Sequence, residues 1–303
     1  MVKVAFLGLG VMGFPMAGHL SKAGYQVTVY NRSVDKSESW LNQYQGVSVS
    51  TPNEAVKDAA FVFSCVGNDD DLRQVTLGET GAFNGMSPGA IFIDHTTVSA
   101  EVSRELSAIA TQAGLDFLDA PVSGGQQGAE KGALTVMVGG DSKVFHRLKP
   151  VISHYAREVA HMGPVGSGQL CKMVNQICVA GLIQGLAEGL HFAKVSGLDS
   201  EKVINVISKG AAQSWQMENR YKTMLAGEYD HGFAVDWMRK DLDIILNEAT
   251  RNGAQLPVTE LVNHFYADVQ ALGGHRWDTS SLLARLEAVS EKELGTLTRK
   301  SNG

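Results

Sequence analysis

Three glycines near the start of the chain constrain its fold most strongly. Gly8, Gly10 and Gly13 follow the apolar run "VKVAFL" with the spacing G-x-G-x-x-G, and the segment "GFPMAGHLSKAG" after them has the pattern of a helix that stops at Gly24. A second apolar run, "YQVTVYNR", comes next. This order predicts a strand–helix–strand unit, in which the glycines permit a tight turn, a close approach of the backbone to a pyrophosphate, and packing of helix on strand. The helix N-terminus would offer its free N–H groups to the phosphates, so we predict that the segment binds a dinucleotide.

The first 160 residues or so alternate short β-rich runs with helical stretches. Further strand-like runs are "AAFVFSCV", "GAIFIDHT", "LDFLDAPV", "TVMVGG" and "REVAHMG", and helical segments such as "NEAVKD" and "SAEVSRELSAIATQAG" lie between them. Strands that alternate with helices predict a doubly wound, mostly parallel α/β sheet.

The pattern becomes helical after "GPVGSGQ", and we predict no strand from there to about residue 290. The first helix of this region spans roughly residues 168–195. Its Gly181, Gly185 and Gly189 recur every four residues, and this small-residue stripe predicts close helix packing and a buried, central helix. We therefore predict a dinucleotide-binding domain at 1–163, an interdomain helix at 164–195, an all-α domain for substrate binding and oligomerisation at 196–290, and a polar tail at 291–303.

The composition fits a soluble globular protein, since 44% of the 303 residues are hydrophobic and 19% are charged. The net charge is −6 and no long basic run occurs, so we predict no nucleic-acid partner. The first apolar run is interrupted by glycines and lacks a charged flank, which is not typical of a signal peptide. The later stretch "CVAGLIQGLAEGLHFAKV" carries Gln184, Glu188 and His191, which argue against a membrane span. The three cysteines and scattered histidines lack metal-like spacing, so we predict no metal site and a cytoplasmic location.

The end of the second strand bears on which dinucleotide binds. Folds that bind NAD usually place an acidic residue there, whereas this chain has Asn31 followed by Arg32. Without that carboxylate nothing repels a 2′-phosphate, and a guanidinium can pair with it. We predict a preference for NADP, and NAD stays an open alternative because Asp35 lies close in sequence.

Five segments together resemble one enzyme family. The segments "GLGVMGFPMAGHL", "NRS", "DAPVSGGQQGAEKGALTVMVGG", "GSGQLCKMVNQ" and "MRKDL" are similar to those of β-hydroxyacid dehydrogenases, and the likeness runs to about residue 290. That family includes 3-hydroxyisobutyrate dehydrogenases and tartronate or succinic semialdehyde reductases. The resemblance implies a Rossmann domain, a long interdomain helix, an all-α domain, a catalytic lysine and a homodimer or homotetramer.

The resemblance also implies which residues form the site. Lys172 would be the catalytic lysine with Asn175 beside it, and the carboxylate of a small hydroxy acid or aldehyde would be held by Ser123, Gly124 and Gly125. Members of the family commonly show K-x-x-N-N, whereas Gln176 stands here in place of the second Asn, at a position that we assign to substrate binding. The residues that we assign to the cofactor site, beside the three loop glycines, are Val11, Met12, Asn31, Arg32, Val66, Thr97, Phe233 and Lys240.

The spacing of Lys172, Asn175 and Gln176 would place an ammonium and two amides on one helical face. Hydride transfer to or from a carbonyl carbon needs a proton donor or acceptor at the oxygen. A lysine in water has a pKa of about 10.4, so it is protonated at neutral pH and can donate to a forming alkoxide. A lysine acid and an NADP-type site favour reduction, while oxidation would require a lowered lysine pKa, for which a nearby Lys240 is a candidate.

A glycine pair follows the strand that ends in Asp119. Ser123 offers a hydroxyl, and Gly124 and Gly125 can turn backbone N–H groups toward one point, which makes a nest for a carboxylate. Open α/β sheets bind ligands at this end of their strands, so the segment is predicted to bind substrate.

Two interpretations stay open for the threonines after "IFID". Thr96 or Thr97 either caps the next helix, with Ser99 as a competing cap, or reaches the nicotinamide. His95 beside them is predicted to be structural.

The helical half leaves alternatives open as well. "FAVDWMRKDLDII" reads as a helix with Phe233 and Trp237 one turn apart, a pattern more typical of a core than of a pocket, while Lys240 is predicted to reach the active site. The residues that either shape substrate preference or pack are Trp215, Arg220 and Tyr221.

We therefore expect an NADP-linked oxidoreductase that interconverts a small carboxylate-bearing β-hydroxy acid and its semialdehyde, of the 3-hydroxyisobutyrate, glyoxylate or succinic semialdehyde type. One alternative is an NAD-preferring 3-hydroxyisobutyrate or serine-type dehydrogenase. Another is an imine reductase-like enzyme, in which Asp or Tyr usually replaces the lysine. A non-catalytic dinucleotide-binding sensor is a third, although it would need neither Lys172 nor a carboxylate nest.

Overall fold

A computed structural model of the protein describes residues 1–290. The chain divides into two compact units, and the boundary falls between Lys172 and Met173. The polar tail predicted at 291–303 lies outside the described residues.

The first unit is built on a nine-stranded sheet. Its strands are β1 (Lys3–Leu7), β2 (Gln26–Tyr30), β3 (Val47–Ser48), β4 (Phe61–Ser64), β5 (Ile91–Asp94), β6 (Asp116–Asp119), β7 (Val122–Ser123), β8 (Leu134–Gly139) and β9 (Ala156–Gly163). The seven strands that the sequence predicts are present, and the two-residue strands β3 and β7 are additional. The sheet order is β3-β2-β1-β4-β5-β6-β8-β7, and β9 pairs with β8.

The pairs from β3 through to β6 are all parallel, whereas β8 runs antiparallel to β6 and β7 and parallel to β9. The chain leaves β1 for β2 on one side and later returns to β4 on the other. Such a reversal opens a crevice at the carboxyl ends of the strands, where open α/β sheets bind their ligands.

Helices of this unit are α1 (Gly13–Lys22), α2 (Val34–Leu41), α3 (Pro52–Ala55), α4 (Asp69–Leu77), α5 (Ala100–Gln112), α6 (Gly125–Glu130) and α7 (Ser142–Ile152), with a 3₁₀ turn at Ala82–Asn84. The sheet is buried on both faces. Successive side chains of a strand point to opposite faces, so Val4 and Phe6 of β1 join one hydrophobic core while Ala5 and Leu7 join the other. A near-continuous apolar strand is what a parallel sheet covered on both sides requires.

Helix α8 (Ser167–Val195) contains the boundary between the units, and the second unit continues with α9 (Ser200–Ile207), α10 (Trp215–Ala226), α11 (Val235–Asn252) and α12 (Pro257–Ala271). A 3₁₀ turn at Thr279–Ser281 leads into a helical stretch at 282–290. Within 173–290 the chain forms no strand, and one isolated antiparallel bridge joins Ala234 to Asp278.

The glycine stripe of α8 does not lie where the sequence pattern places it. Ile183, Leu186 and Leu190 are buried, but Gly185 and Gly189 are exposed, and a Cβ at either would meet no atom within 4 Å. The predicted burial of the glycine face is therefore wrong for the described residues, whereas the predicted close helix packing stays a prediction. Periodic small residues define a helix face without defining what covers it.

By length and composition alone, α8 could cross a membrane, and among residues 1–290 it is the one helix of which this holds. The core helix of a soluble protein meets the same two criteria. The absence of a membrane span stays a prediction.

Candidate active site

Glycine occupies the three positions of the turn from β1 into α1 for different physical reasons. Gly8 has a φ of +98°, and a Cβ there would collide with the carbonyl oxygen of Cys65. A Cβ at Gly13 would collide with the carbonyl oxygen of Gly8. At Gly10 a Cβ would meet no protein atom within 4 Å, so packing does not require that glycine. An open cradle at this position, next to the N-terminus of a helix, fits the pyrophosphate of a dinucleotide.

Asn31 holds the glycine loop against the end of β2. Its Oδ1 accepts a hydrogen bond of 2.8 Å from the backbone N–H of Leu9, and its Nδ2 donates to the carbonyl of Ser33 at 2.9 Å. The next residue, Arg32, is 87% exposed and its Nη1 lies 3.3 Å from Oδ1 of Asp71 in the first turn of α4. Asp71 belongs to the run "DDD", in which no local feature of the sequence distinguishes one aspartate from the next.

The other residues assigned to the cofactor in this unit lie along the same edge of the sheet. Val11 is exposed and Met12 is half-buried in the glycine loop. The backbone N–H of Val66 donates to Oγ1 of Thr96 at 3.0 Å, which joins the ends of β4 and β5. Thr97 is half-buried beside it. The structure thus brings the glycine loop, Asn31, Val66 and the threonine turn together at the carboxyl ends of parallel strands.

Helix α5 is capped by Ser99 rather than by either threonine. The Ser99 hydroxyl accepts a hydrogen bond of 3.1 Å from the backbone N–H of Val102. The competing cap therefore takes this role, and the hydroxyl of Thr96 binds Val66 instead.

The predicted carboxylate nest lies after β7. Gly124 has a φ of +131° and Gly125 a φ of +60°, so both adopt conformations that side-chain-bearing residues rarely tolerate. Both glycines are exposed and Ser123 is half-buried. A Cβ at Gly125 would meet nothing within 4 Å, which leaves room for a ligand beside its backbone. The geometry fits a turn that presents backbone N–H groups.

Two carboxyl groups are buried at the ends of neighbouring strands β5 and β6, where Asp94 and Asp119 are paired in register. Asp94 Oδ1 accepts from the Ser64 hydroxyl at 2.6 Å and from the Thr96 N–H at 3.0 Å. Burial, opposed by these hydrogen bonds, raises the pKa of Asp94 to about 7. Burial also raises the pKa of Asp119, against the hydrogen bonds donated by two backbone N–H groups of the α8 N-terminal region, those of Gly166 at 2.7 Å and Gln169 at 2.9 Å.

Gln169 ties the first turn of α8 to the turn after β5. Its side chain is fully buried, Nε2 donates to the carbonyl of Thr96 at 2.8 Å, and Oε1 accepts from the N–H of Val98 at 3.2 Å. Together with Asp119 it holds the start of α8 to the ends of β5 and β6. Lys172 follows three residues later on the same helix, with only 8% of its surface exposed. Lysine is seldom buried to this extent without a specific role or partner.

In the second unit, four polar residues form a hydrogen-bonded chain whose two central members, Gln176 and Asp241, are buried. Asn175 Nδ2 donates to Gln176 Oε1 at 2.8 Å, and Gln176 Nε2 donates to Oδ2 of Asp241 at 2.7 Å. Lys240 Nζ lies 3.1 Å from the other oxygen of Asp241. The longer side chain at position 176 therefore orients the Asn175 amide and reaches a carboxylate. Asp241 was not predicted to be part of this cluster, since an aspartate next to a lysine on a polar helix is usually solvated.

Phe233 requires a correction. It precedes α11, which begins at Val235, so Phe233 and Trp237 do not lie one helical turn apart. The backbone N–H of Phe233 donates to Oδ2 of Asp278 at 2.8 Å, and this contact holds the segment outside the helix.

Of the three residues with two open interpretations, Arg220 is also bound to Asp278. Its Nε lies 3.2 Å from Oδ1 of that buried carboxylate, and its guanidinium stacks 4.9 Å from the ring centre of Trp215. These contacts favour a packing role for Arg220. Among the described residues, no group of three or more His, Cys, Asp or Glu side chains is placed to hold a metal ion.

Comparison with known proteins supports one family over both units. Residues 3–163 match the family model described as the NAD binding domain of 6-phosphogluconate dehydrogenase. Residues 166–286 match the family model described as "NAD-binding of NADP-dependent 3-hydroxyisobutyrate dehydrogenase". The chain is 67% identical over 287 residues to an uncharacterized oxidoreductase of Shewanella frigidimarina, which covers 95% of this chain and 99% of that protein.

Two further proteins have more specific names. The 2-hydroxy-3-oxopropionate reductase of Escherichia coli is 33% identical over 293 residues, covering 97% of this chain and all of that protein. A structure of 3-hydroxyisobutyrate dehydrogenase from Mycobacterium tuberculosis with L-serine superposes with a TM-score of 0.84 at 29% identity, covering 94% of this chain and 99% of that one.

The chain belongs to the β-hydroxyacid dehydrogenase family. It is an NAD(P)-dependent hydroxyacid dehydrogenase whose cofactor is a nicotinamide dinucleotide. The predicted fold class, an N-terminal Rossmann domain followed by a helical C-terminal domain, is confirmed.

Proposed function

We propose that the protein is an NADP(H)-preferring oxidoreductase that interconverts a small β-hydroxy acid and its semialdehyde, with Lys172 as general acid and base. The position of Lys172 carries this proposal. Its side chain is nearly buried in the second turn of α8, and the start of that helix is bound to Asp119 at the end of β6. The glycine loop follows β1 at the same edge of this sheet.

A bound nicotinamide dinucleotide supplies the two-electron oxidation or reduction of the carbonyl carbon. The ammonium of Lys172 donates a proton to the oxygen that becomes the hydroxyl in reduction, and the amine accepts it in oxidation. Asn175 and Gln176 offer amides on the face of α8 that carries Lys172, since the three are spaced i, i+3 and i+4. The substrate carboxylate binds the Ser123 hydroxyl and the backbone N–H groups after it.

The preference for NADP is supported by Asn31 and Arg32. Residue 31, directly after β2, is an asparagine instead of an acidic residue, and both polar atoms of its amide are hydrogen-bonded to the backbone. The guanidinium of Arg32 is exposed there and can pair with a 2′-phosphate.

Small aldehyde acids are the substrates to test, since the relatives named above are a 2-hydroxy-3-oxopropionate reductase and a 3-hydroxyisobutyrate dehydrogenase. We expect oxidation of NADPH with at least one of succinic semialdehyde, glyoxylate and tartronate semialdehyde, or reduction of NADP⁺ with 3-hydroxyisobutyrate or L-serine.

Lys172→Ala is expected to lower kcat by about 10²- to 10⁴-fold, the usual contribution of general acid–base catalysis, with NADPH affinity unchanged. Lys194→Ala is the matched control, because Lys194 lies on the same helix but is exposed and bound to Glu287. Equal turnover of the two variants with every active substrate would refute the catalytic role of Lys172.

We also propose that the enzyme acts in the cytoplasm as a homodimer or homotetramer. The exposed apolar side chains of α8, among them Val174, Leu182 and Phe192, support assembly, and the three cysteines, all within residues 1–290, form no disulfide. Light scattering of the purified protein tests the oligomeric state, and a monomer at all concentrations would refute it.

A further inference from the structure

The ion pair between Arg32 and Asp71 spans the cofactor end of the sheet. Arg32 follows β2, and Asp71 lies in the first turn of α4, which follows β4. Strands β2 and β4 flank β1 on opposite sides, and the glycine loop begins at the end of β1. The two side chains, 3.3 Å apart, therefore meet across the crevice that opens where the chain reverses direction.

Asp71 is the one aspartate of its helical turn that reaches this arginine. Asp69 accepts hydrogen bonds from the backbone N–H of Ser99 at 3.0 Å and from its hydroxyl. Asp70 is 95% exposed and lies 3.4 Å from Arg73 of its own helix. Three adjacent residues of equal charge thus have three different partners, and only one of those partners is assigned to the cofactor.

The pair is weak enough to exchange. Arg32 is 87% exposed and Asp71 is 32% exposed, and ion pairs in such settings add little to stability. The backbone of Asp71 is nevertheless fixed in the first turn of α4, because its N–H donates at 2.8 Å to the side chain of Asn68, the residue that caps the helix.

We propose that Asp71 is a cofactor-specificity residue, which competes with the 2′-phosphate of NADP for Arg32 and so moderates the preference for NADP over NAD. The proposal rests on the proposed function, in which Arg32 binds that phosphate. Two anions that approach one guanidinium repel each other, so NADP binding must displace Asp71 or tolerate its charge. NAD carries no 2′-phosphate and leaves the pair intact. Asp71, in the helix that follows β4, thereby places an acidic group beside Arg32, whereas the residue directly after β2 is the neutral Asn31.

The test compares Asp71→Asn with Asp70→Asn. Each variant removes one negative charge from the same helical turn at nearly constant size, but only the first removes the partner of Arg32. The bond that caps α4 uses the backbone of residue 71 and survives the substitution. Dissociation constants for NADPH and NADH are measured by calorimetry without substrate, and again for 2′,5′-ADP and AMP, which lack the nicotinamide half.

We expect Asp71→Asn to bind NADPH and 2′,5′-ADP about three- to tenfold more tightly at low salt, with the gain shrinking as salt screens the repulsion. Binding of NADH and AMP should stay within about twofold, as should all four ligands with Asp70→Asn, because its charge does not contact Arg32. Equal effects of the two substitutions, or no effect of either, would overturn the proposal.

Arg32→Ala separates this proposal from the one on which it rests. A loss of NADPH affinity without a loss of NADH affinity supports the NADP preference. The comparison of Asp71→Asn with Asp70→Asn then decides whether Asp71 moderates that preference. An unchanged ratio of the two affinities in Arg32→Ala refutes both proposals. A changed ratio combined with an inert Asp71→Asn refutes the role of Asp71 alone.

Discussion

Replacement of Gln169 by methionine should destabilise the first unit far more than the same change elsewhere on α8. The Gln169 amide donates to the carbonyl of Thr96 at 2.8 Å and accepts from the N–H of Val98 at 3.2 Å, all in a fully buried setting. Methionine keeps the length of the side chain and removes both bonds. A buried polar group left without its partner costs about 1–3 kcal/mol, so the loss for the two backbone groups is about 2–6 kcal/mol.

This loss is large enough to measure by thermal unfolding. For a unit of this size, 1 kcal/mol shifts the midpoint by about 2–4 °C, so a loss of about 2–6 kcal/mol lowers the unfolding midpoint of Gln169→Met by about 4–24 °C relative to wild type. Near-ultraviolet circular dichroism follows the tertiary packing of the unit directly. Differential scanning calorimetry shows whether the two units unfold together.

Gln184→Met is the matched control. Gln184 lies on the same helix and is also buried, but its amide donates once, to Glu188 at 2.7 Å, and its Oε1 has no hydrogen-bond partner among the described residues. Methionine removes an unsatisfied acceptor there along with one bond, so the change in free energy of unfolding is expected to stay below about 1 kcal/mol. Equal midpoints for the two variants would refute the inference that Gln169 anchors α8 to the turn after β5.

The loop glycines and the buried titratable groups give two further predictions. Gly10→Ala should weaken NADPH binding in a fluorescence titration without lowering the unfolding midpoint, whereas Gly13→Ala should lower the midpoint, because its Cβ would collide with the carbonyl of Gly8; the opposite ranking would contradict the separation of their roles. Burial raises the pKa of Asp94 to about 7 and lowers the pKa of His95 to about 4. Between pH 4 and 6.5, Asp94 is therefore protonated in the folded state and ionised in the unfolded state. Over the same range His95 is neutral in the folded state and protonated in the unfolded state. The two contributions to the slope of unfolding free energy against pH, each about 1.4 kcal/mol per pH unit, oppose each other, so Asp94→Asn should make stability in urea rise more steeply with pH than in wild type over this range. A slope equal to that of wild type would show that Asp94 does not titrate as its burial implies.

Local patterns predicted most of the sheet and failed where distant contacts decide. The seven longer strands show apolar runs bounded by glycine or polar residues, whereas β3 and β7 have two residues each, too few for any periodicity. Phe233 looked helical because residues 235 onward are helical. Its backbone is bonded to Asp278, 45 positions away, and no local pattern encodes that contact.

The candidate site shows the same division. The glycine loop and the spacing of Lys172, Asn175 and Gln176 are local features of the sequence. The partners that orient site residues, Asp71 for Arg32 and Asp241 for Gln176, come from other helices. The residues around an aspartate in a polar run do not indicate which distant arginine or amide it contacts. Such partners can be identified only from the three-dimensional structure.

In the segment "GPVGSGQ", before α8, glycine is needed for a different reason than in the loop after β1. A Cβ at Gly168 would collide with the carbonyl oxygen of Met137, and one at Gly139 would collide with the carboxylate of Asp119. These glycines make room for Asp119, which accepts hydrogen bonds from Gly166 and Gln169 at the positive end of a 29-residue helix. The helix dipole and two N–H groups offset part of the cost of burying that carboxyl group, which is why it can serve as an internal cap. A glycine-rich segment before a helix can therefore seat a carboxylate of the protein itself, whereas the open space at Gly10 fits a phosphate from outside.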